Sequence, residues 1–314
     1  MKKVLVTGGA GFIGSNFVHY LEKMSSNHSQ ELEIVVLDLL TYAGNLNNLN
    51  GLTSPDRVRF VKGDVRDFAT VEALVRDADA VFHLAAESHV DRSIADPSVF
   101  IDTNIKGTLN VLESAKISDK RVVLVSTDEV YGSLETGKAN EDFQINPSSP
   151  YSASKASADL LAVAFHRTFG LDVVITRCSN NYGPRQYPEK LIPLTINKIL
   201  TKQKIPVYGD GKNVRDWIHV DDHCSGLYLA MTLGKPGRIY NFGDVDKISN
   251  ITIVKQLLDI MNESTDLIEF VEDRLGHDYR YAIDASRARD ELGWKPQKTL
   301  LLDLPKVVDS YINK

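Results

Sequence analysis

Two groups of ionisable side chains lie close together in the stretch from Ser126 to Lys155. Asp128 and Glu129 follow the apolar run RVVLV, which is typical of a buried strand, so both acids are expected just past its carboxyl end. Tyr151 and Lys155 stand four residues apart, which places them on one side of a helix. Ligands bind at the carboxyl ends of strands in open α/β sheets. These residues therefore predict an acid–base site, provided that a cofactor lies beside it.

The helix that carries the Tyr/Lys pair has a clear start signal. In the segment PSSPYSASK, Ser149 stands where an N-cap residue would accept a backbone N–H, and Pro150 occupies the first helical position. A lone half-buried tyrosine or a solvated pair of acids after a strand would be ordinary. A catalytic role for these residues is favoured only if a cofactor site lies beside them. The rest of the sequence has to contain that cofactor site.

A cofactor site is predicted at the amino terminus. Lys3–Val6 is typical of a short buried strand, Gly8, Gly11 and Gly14 follow in TGGAGFIGS, and NFVHYLEKM then has helical periodicity. A strand, a glycine turn and a helix in this order form the context of a dinucleotide fingerprint, in which the pyrophosphate lies at the helix amino terminus. The spacing is G-x-x-G-x-x-G, and a tight structural turn is the alternative interpretation.

The later strands indicate the cofactor and the fold. The strand LEIVVLD ends at Asp38, whose carboxylate can accept ribose hydroxyls and disfavours a 2′-phosphate, so NAD is favoured over NADP. Further apolar strands alternate with helices, which predicts an α/β fold with a doubly wound parallel (Rossmann) sheet. We expect an NAD-binding domain at residues 1–178 and a smaller α+β substrate lobe at residues 179–314, with some return of the chain to the sheet.

Composition restricts the function classes. The 314 residues are 43% apolar and 25% charged, which are ordinary globular values, and the net charge of -6 argues against a general nucleic-acid surface. Cys178 and Cys224 form no disulfide pattern, so a reducing compartment is expected. We see no signal peptide and no membrane span, and therefore expect a cytoplasmic enzyme with no membrane partner.

Basic residues are concentrated in the loops of the second part of the chain. Lys190, Arg215, Arg274, His277 and Arg280 all fall in segments rich in Gly, Pro and Tyr. Scattered Arg and Lys side chains in loops suit a diphosphate group. The alternative is a set of solvated surface charges, which is the commoner role of such residues.

At this point the motifs together resemble one family. TGGAGFIGS, TYAGN, HLAAESHVDRSI, STDEVYG, YSASK, RCSNNYGP, PEKLIP, YGDG with RDW, and GHD with RYAID resemble the dTDP-glucose 4,6-dehydratases of the extended short-chain dehydrogenase/reductase superfamily. The glycine turn and YxxxK specify only the superfamily, whereas the TDE triplet and HLAAESHVDRS are much narrower. The resemblance covers nearly the whole chain.

The resemblance implies a redox cycle on a nucleotide-linked glucose. C4 is oxidised, water leaves across C5 and C6, and the hydride returns to C6, so that NAD is regenerated. Tyr151 resembles the base at C4, Glu129 the base at C5 and Asp128 the acid at C6, with Thr127 near C4. A free phenol titrates near pH 10, so a working base needs a depressed pKa, for which Lys155 and the positive nicotinamide ring are the expected sources.

The same resemblance implies two sets of binding residues. Those expected to contact NAD are Gly8, Gly11, Phe12, Ile13, Gly14, Asp38, Leu39, Leu40, Thr41, Asp64, Val65, Leu84, Ala85, Ala86, Thr103, Ser126, Tyr151, Lys155 and Asn181. Those expected to contact dTDP-glucose are Ser88, Thr127, Asn180, Lys190, Leu191, Pro206, Tyr208, Arg215, Asn250, Asp273, Arg274 and His277. His83 and His89 lack a third ligand at suitable spacing, so no metal is expected.

Three positions depart from the family pattern. Leu39 stands where Lys is usual, Asp244 where the second Gly of an NIGG-like run is usual, and Leu275 replaces a Pro. None is a chemical group of the reaction, but they leave affinity and nucleotide preference open.

Several alternatives remain open from the sequence. A UDP- or CDP-sugar 4,6-dehydratase would differ only in the base pocket. A nucleotide-sugar 4-epimerase needs the Tyr/Lys pair and NAD but gives no reason for two acids after the strand, and a decarboxylase would not need Asp128 as an acid. An NAD-sensing regulatory protein would usually lose the Tyr or the Lys. The resemblance also implies a homodimer packed through helices at Pro97–Lys116 and Tyr151–Phe169.

Overall fold

The computed structural model describes residues 1–27 and 31–312. Its strands are β1 (Lys3–Thr7), β2 (Glu33–Asp38), β3 (Val58–Lys62), β4 (Ala80–His83), β5 (Arg121–Thr127), β6 (Val173–Cys178), β7 (Asn180–Tyr182), β8 (Ile205–Tyr208), β9 (Val214–His219), β10 (Ile239–Phe242), β11 (Asp246–Ser249) and β12 (Ile268–Val271). Its α-helices are α1 (Phe12–Asn27), α2 (Phe68–Asp77), α3 (Val90–Ala95), α4 (Ser98–Phe100), α5 (Gly107–Ser118), α6 (Pro150–Phe169), α7 (Leu191–Leu200), α8 (Val220–Leu233), α9 (Asn250–Ile260), α10 (Ser286–Leu292) and α11 (Leu300–Ile312).

A parallel sheet of seven strands forms the centre of the fold. The strands lie in the order β10-β6-β5-β4-β1-β2-β3, and every neighbouring pair is parallel. Helices α1, α8 and α10 cover one face with residues such as Phe17 and Leu227, and α2, α5 and α6 cover the other with residues such as Val111 and Phe165. A sheet buried on both faces needs strands that are apolar throughout, which is why VLV, IVVL and VVLV lack alternation. The predicted doubly wound fold is confirmed.

The start of α6 follows the prediction from its sequence. The Ser149 hydroxyl accepts the Ser152 N–H at 3.1 Å, and the Ser152 hydroxyl accepts the Ser149 N–H at 3.0 Å. Pro150 occupies the first helical turn, and the helix ends at Phe169, before Gly170, whose φ of 71° is left-handed. This reciprocal capping fixes where the helix begins, and therefore where Tyr151 and Lys155 lie along it.

The helix predicted at Pro97–Lys116 is not continuous, which corrects the sequence-based prediction. Residues Ile101–Lys106 form a π-helical turn between α4 and α5. Within this turn the buried Asn104 side chain accepts the Glu87 N–H at 2.9 Å and donates to the Glu87 carbonyl at 3.0 Å and to the Ser154 hydroxyl at 2.8 Å. These long-range bonds tie the segment after β4 to α6. They favour a π-helical turn, which contains one residue more than an α-helical turn. The helical periodicity of the local sequence does not reveal this extra residue.

The second part of the chain builds a smaller layer beside the sheet. Strands β11, β9 and β7 form one small sheet, and β12 pairs with β8. Helices α7, α9 and α11 pack on them around a core that includes Ile196, Leu257 and Leu304. The chain beyond residue 178 also contributes β10 to the large sheet. The domain division at residue 178 stays a prediction. None of the described helices combines the length and apolar character needed to cross a membrane.

A buried ion pair and its hydrogen bonds connect three elements near the carboxyl end of β5. The Arg177 Nε lies 2.8 Å from the Asp159 Oδ2, and both side chains are at most 2% exposed. Arg177 also donates to the Tyr131 hydroxyl at 2.9 Å, and that hydroxyl donates to the Asn241 side-chain oxygen at 2.9 Å. Strand β6, helix α6 and the turn after β5 are thereby held together.

Breaking this pair from one side should be strongly destabilising. In an Asp159→Ala variant the Arg177 guanidinium stays buried without its counterion, and we expect the free energy of unfolding to fall by about 3–5 kcal/mol. Urea unfolding followed by circular dichroism measures the change. The matched control is Glu72→Ala, which removes an exposed pair with Arg76 one helical turn away and should cost less than about 1 kcal/mol. Equal losses in the two variants would contradict the assignment.

Candidate active site

The glycine turn after β1 requires glycine for steric reasons at two positions. Gly8 has φ of 71°, and a Cβ there would lie 2.6 Å from the Ala85 nitrogen. A Cβ on Gly14 would lie 2.1 Å from the Gly8 carbonyl oxygen. The turn thus brings the segment after β4 and the start of α1 within backbone contact of each other. This is the close approach that a dinucleotide-binding turn needs.

Asp38 is held at the end of β2 by backbone donors. Its carboxylate accepts the Ala10 N–H at 2.9 Å and the Leu40 N–H at 2.8 Å. Leu40 has φ of 59°, so the chain reverses directly after Asp38. Leu40 does not line the cleft that is described next, so the cofactor contact predicted there stays a prediction.

A cleft of about 360 Å³ runs along the carboxyl ends of the strands, and we call it the cofactor cleft. Apart from Leu40, every residue predicted to contact NAD lines it. They are Gly8, Gly11, Phe12, Ile13, Gly14, Asp38, Leu39, Thr41, Asp64, Val65, Leu84, Ala85, Ala86, Thr103, Ser126, Tyr151, Lys155 and Asn181.

Several buried polar atoms in the cofactor cleft have no hydrogen-bond partner among the residues that the structure describes. They include the Ser126 hydroxyl, the Asp128 Oδ2 and the Asn180 side-chain oxygen. Buried polar groups are nearly always hydrogen-bonded, so these atoms fit a polar ligand in the cleft. Together with the Asp38 carboxylate and the crowded glycine turn, they form a site that suits NAD.

Asp128 and Glu129 lie where the sequence predicted, directly after β5. They form a short 3-10 turn, Asp128–Tyr131. The Thr127 hydroxyl caps this turn by accepting the Glu129 N–H at 3.2 Å, and it donates to the Asp128 Oδ1 at 3.4 Å. Thr127 therefore fixes the orientation of both acids.

The two acids differ in electrostatic surroundings. Burial, followed by the Glu129 and Asp216 carboxylates, holds the pKa of Asp128 well above its usual range. Burial also raises the pKa of Glu129, but the charges of Arg274, Lys190 and Arg215 oppose that shift. This difference favours Asp128 as the acid that holds a proton and Glu129 as the acid that ionises first.

The surroundings of Tyr151 correct one sequence-based prediction. We expected Lys155 to depress the pKa of Tyr151, but burial and the Glu129 carboxylate raise it well above its usual value. The Lys155 ammonium donates to the Val125 carbonyl at 2.7 Å, and burial lowers the pKa of Lys155 itself. We had named two groups that could lower the pKa of Tyr151, Lys155 and the positive nicotinamide ring. The structure leaves only the nicotinamide ring in that role.

A second cavity of about 410 Å³ adjoins the first, and we call it the substrate pocket. Ten predicted substrate contacts line it: Ser88, Asn180, Lys190, Leu191, Pro206, Tyr208, Arg215, Asn250, Arg274 and His277. Thr127 lines the cofactor cleft instead. Asp273 lines neither cavity, since its carboxylate lies 2.6 Å from the His277 Nδ1 and supports that ring from behind.

The cations of the substrate pocket are held by the protein and are not solvated surface charges. Arg215 is 4% exposed and donates to the Val214 and Asp278 carbonyls at 2.9 and 2.8 Å. The Lys190 ammonium donates to the Ser88 carbonyl at 3.2 Å. Arg280, which the sequence grouped with them, donates to the Gly137 carbonyl and lines neither cavity.

Sequence reasoning missed several residues that line the two cavities. They include Arg66, Glu87, Gln186, Tyr187, Glu189, Trp217 and Tyr281. Glu87 had one usable signal, its position directly after Ala86 at the end of β4. Arg66 lies in the loop between β3 and α2, and Trp217 lies in β9. The remaining residues, Gln186, Tyr187, Glu189 and Tyr281, lie in irregular segments of the second part of the chain.

The histidines that were weighed as metal ligands have other surroundings. His83 is buried between the Thr7 and Thr108 hydroxyls, at 2.7 and 3.1 Å, and burial lowers its pKa to about 3. His89 lies 3.9 Å from both Asp91 and Glu189. Within residues 1–27 and 31–312, no group of three or more His, Cys, Asp or Glu side chains has the arrangement of a metal site.

The departures from the family pattern have a structural explanation at one position. Asp244 adopts φ of 61°, where glycine is usual, and its carboxylate is matched by three cations, Lys138 at 2.6 Å, Lys247 at 2.8 Å and Arg289 at 3.0 Å. Leu39 lines the cofactor cleft, and Leu275 is 76% exposed. Nothing in the structure explains the latter two substitutions.

A Rossmann sheet, a glycine turn paired with Asp38, and a Tyr/Lys helix beside two acids define an enzyme of the extended short-chain dehydrogenase/reductase class. A family profile described as GDP-mannose 4,6 dehydratase matches residues 5–302. The dTDP-glucose 4,6-dehydratase of Streptomyces antibioticus is 48% identical over 312 residues, which cover 98% of this chain and 92% of that protein. The chain belongs to this dehydratase family, and its full-length relatives include dTDP-glucose 4,6-dehydratases, as the motifs predicted.

Solved structures give the same relationship. The crystal structure of DesIV, a dTDP-glucose 4,6-dehydratase from Streptomyces venezuelae with NAD and TYD bound, superposes with a TM-score of 0.96 at 48% identity, covering 99% of this chain and 97% of that one. The UDP-glucose 4-epimerase of Thermus thermophilus in complex with NAD has a TM-score of 0.89 at 29% identity, with 99% of each chain covered. The fold is therefore shared with epimerases, and the side chains of the site have to distinguish the two reactions.

Proposed function

We propose that this chain converts dTDP-glucose to dTDP-4-keto-6-deoxyglucose and water, as a hydro-lyase that retains NAD and feeds deoxysugar biosynthesis of the rhamnose type. The observation that carries the proposal is the pair of adjacent acids, the buried Asp128 and the partly buried Glu129, at the junction of the two cavities. Glu129 lines both the cofactor cleft and the substrate pocket. The dehydratase relatives and the NAD-containing neighbours support the same reaction.

The residues of the cofactor cleft fit NAD, with Asp38 at the adenosine ribose and the turn at Gly8–Gly14 at the pyrophosphate. Bound NAD would supply the redox chemistry, taking a hydride from C4 of the sugar and returning it at C6. The chain itself has to move protons at C4, C5 and the C6 hydroxyl, and to keep water out while it does so.

Tyr151 is the proposed base for the C4 hydroxyl. Its ring is 8% exposed and packs edge-on against Phe100, with centroids 6.3 Å apart. Because the surrounding protein raises the Tyr151 pKa, the phenol is a poor base until a cation lies beside it. The site is therefore expected to oxidise the sugar only in the holoenzyme.

The two acids carry the elimination. Glu129, ionised among Lys190, Arg215 and Arg274, removes the C5 proton that the C4 ketone has acidified, and protonated Asp128 gives its proton to the departing C6 hydroxyl. Glu129 then returns its proton to C5, and the proton that Tyr151 took from the C4 hydroxyl replaces the one that Asp128 gave to the departing water. Each positioned transfer contributes about 10²–10⁴-fold to the rate. Activity should fall at low pH as Glu129 is protonated and at high pH as Asp128 loses its proton.

The substrate pocket suits a nucleoside diphosphate. Lys190, Arg215 and Arg274 supply positive charge for the phosphates, while Pro206 and Tyr208 form an apolar and aromatic wall for the base. Thymine and uracil differ by one methyl group, so dTDP is assigned from the relatives. UDP- or CDP-glucose are the competing substrates.

Substituting Glu129 should separate oxidation from elimination. In Glu129→Gln the Tyr151 base is intact, so substrate should still reduce bound NAD, while release of the 4-keto-6-deoxy product falls by about 10²–10⁴-fold. Nicotinamide absorbance in a single turnover measures the first step, and the alkali-induced absorbance of the keto-sugar measures the second. Tyr151→Phe is the matched control and should block NAD reduction itself. Dehydration by Glu129→Gln at the parental rate would show that Glu129 is not the C5 base.

The overall reaction is tested by following the C4 hydrogen. Purified holoenzyme receives dTDP-glucose, UDP-glucose and CDP-glucose in parallel, each deuterated at C4, with no NAD added. We expect the dTDP sugar to react fastest and its deuterium to appear at C6 of the product. Deuterium retained at an inverted C4 would identify an epimerase instead, and preference for UDP-glucose or CDP-glucose would overturn the substrate assignment.

We also propose that the chain forms a homodimer through α5 and α6 and works in the cytoplasm. The two helices expose large apolar side chains, namely Leu109, Ile117, Leu160 and Phe169, and the two free cysteines suit a reducing compartment. Sedimentation equilibrium should give twice the chain mass, and Leu160→Glu should weaken the association. A parental protein that stays monomeric at micromolar concentration would contradict this interface.

A further inference from the structure

Four side chains close a ring beside the cofactor cleft, and we call this ring the clasp: Tyr42, Arg92, Tyr187 and Glu189. The Arg92 guanidinium lies 3.8 Å from the centre of the Tyr42 ring, and it donates to the Glu189 carboxylate at 3.2 and 3.4 Å. On the other side the Tyr42 ring meets the Tyr187 ring edge-on, with centroids 5.5 Å apart. Because Tyr187 and Glu189 are two residues apart in one loop, the contacts form a closed circuit.

The clasp joins segments that are far apart in sequence. Tyr42 follows β2, between Thr41 and Ala43, which line the cofactor cleft. Arg92 lies in α3, after β4, and Tyr187 and Glu189 lie between β7 and α7. Tyr187 and Glu189 themselves line the cleft. The clasp thus connects the adenosine side of the cleft with the part of the chain that forms the substrate pocket.

Arg92 and Tyr42 of the clasp lie apart from the residues that transfer protons in the proposed reaction. Arg92 lines neither cavity, and its side chain is 48% exposed, so it lies on the solvent side of the ring. Tyr42 is partly buried, and burial raises its pKa to about 12, which keeps the phenol neutral at physiological pH. Neither residue is placed to move a proton in the proposed reaction. What they do is hold two walls of the cofactor cleft against each other.

We propose that the clasp retains NAD in the cleft by slowing its release. Each contact by itself is weak. However, Tyr42 is released only when its contacts with both Arg92 and Tyr187 are broken, and Arg92 only when its contacts with both Tyr42 and Glu189 are broken. The inference rests on the proposed function, because a cofactor that is oxidised and reduced within one turnover has to stay bound between the two steps. It extends that function by naming residues, outside the chemical site, that set the residence time of the cofactor.

The test is the rate at which purified holoenzyme loses NAD. Holoenzyme is mixed with excess fluorescent etheno-NAD, and the exchange is followed over time. Arg92→Ala removes both the cation–π contact and the ion pair, and we expect exchange about tenfold faster than in the parent. Tyr42→Phe keeps the ring and should exchange at close to the parental rate, whereas Tyr42→Ala should resemble Arg92→Ala. Arg76→Ala, which removes an exposed arginine paired with Glu72, is the control and should exchange like the parent.

Turnover with saturating NAD provides the second readout. Arg92→Ala should keep its turnover number within about twofold, since Arg92 lines neither cavity and moves no proton in the proposed reaction. Parental exchange in both Arg92→Ala and Tyr42→Ala would overturn the clasp. If Arg92→Ala fails to fold, Arg92→Lys is the second variant, because it keeps the charge but loses the planar stack on Tyr42. Arg92→Lys should still exchange NAD faster than the parent. Exchange at the parental rate in Arg92→Lys would also overturn the clasp. If no variant and no parent protein dehydrates the sugar, the proposed function fails, while the exchange rates still decide the clasp.

Discussion

Two consecutive carboxyl groups at the end of one strand, one buried and one partly buried, are the constraint on which the rest of this site depends. Asp128 and Glu129 cannot both be ionised cheaply, because burial and their mutual repulsion act in the same direction. The protein resolves the conflict with asymmetric surroundings. Three cations, Arg274, Lys190 and Arg215, oppose the rise in the Glu129 pKa that burial and Asp278 cause. At Asp128 only Arg215 and the Thr127 hydroxyl oppose the rise that burial, Glu129 and Asp216 cause. One acid and one base at neighbouring positions are the result.

The fold keeps that arrangement rigid. The acids follow β5, which lies between β4 and β6 in the sheet, and Thr127 caps the turn that they form. Behind the turn, Tyr131 and Asp159 are both bound to Arg177, so the acids and the Tyr/Lys helix share one buried anchor. Epimerases have the same fold, and what distinguishes the proposed reaction is therefore the chemistry of the residues at these strand ends.

Much of this could be predicted from the sequence, because the signals are local. The glycine turn, the end of β2 at Asp38, the capped start of α6 and the acids after β5 each depend on residues a few positions apart. The predictions that failed depend on surroundings that the local sequence does not contain. Asn104 interrupts a helix because it binds Glu87 and Ser154, and the pKa of Tyr151 is high because the ring is buried with Glu129 near it. The clasp was missed for the same reason, since its residues come from three separate segments.

The central claim is that Asp128 is protonated while Glu129 is ionised in the working enzyme, and infrared spectroscopy tests it most directly. Holoenzyme at neutral pH should show the carbonyl stretch of a protonated carboxyl group in a buried site. Labelling aspartate with ¹³C should shift that band, Asp128→Asn should remove it, and Glu129→Gln should leave it in place. A spectrum without a protonated aspartate, or a band that disappears only in Glu129→Gln, would contradict this division of roles.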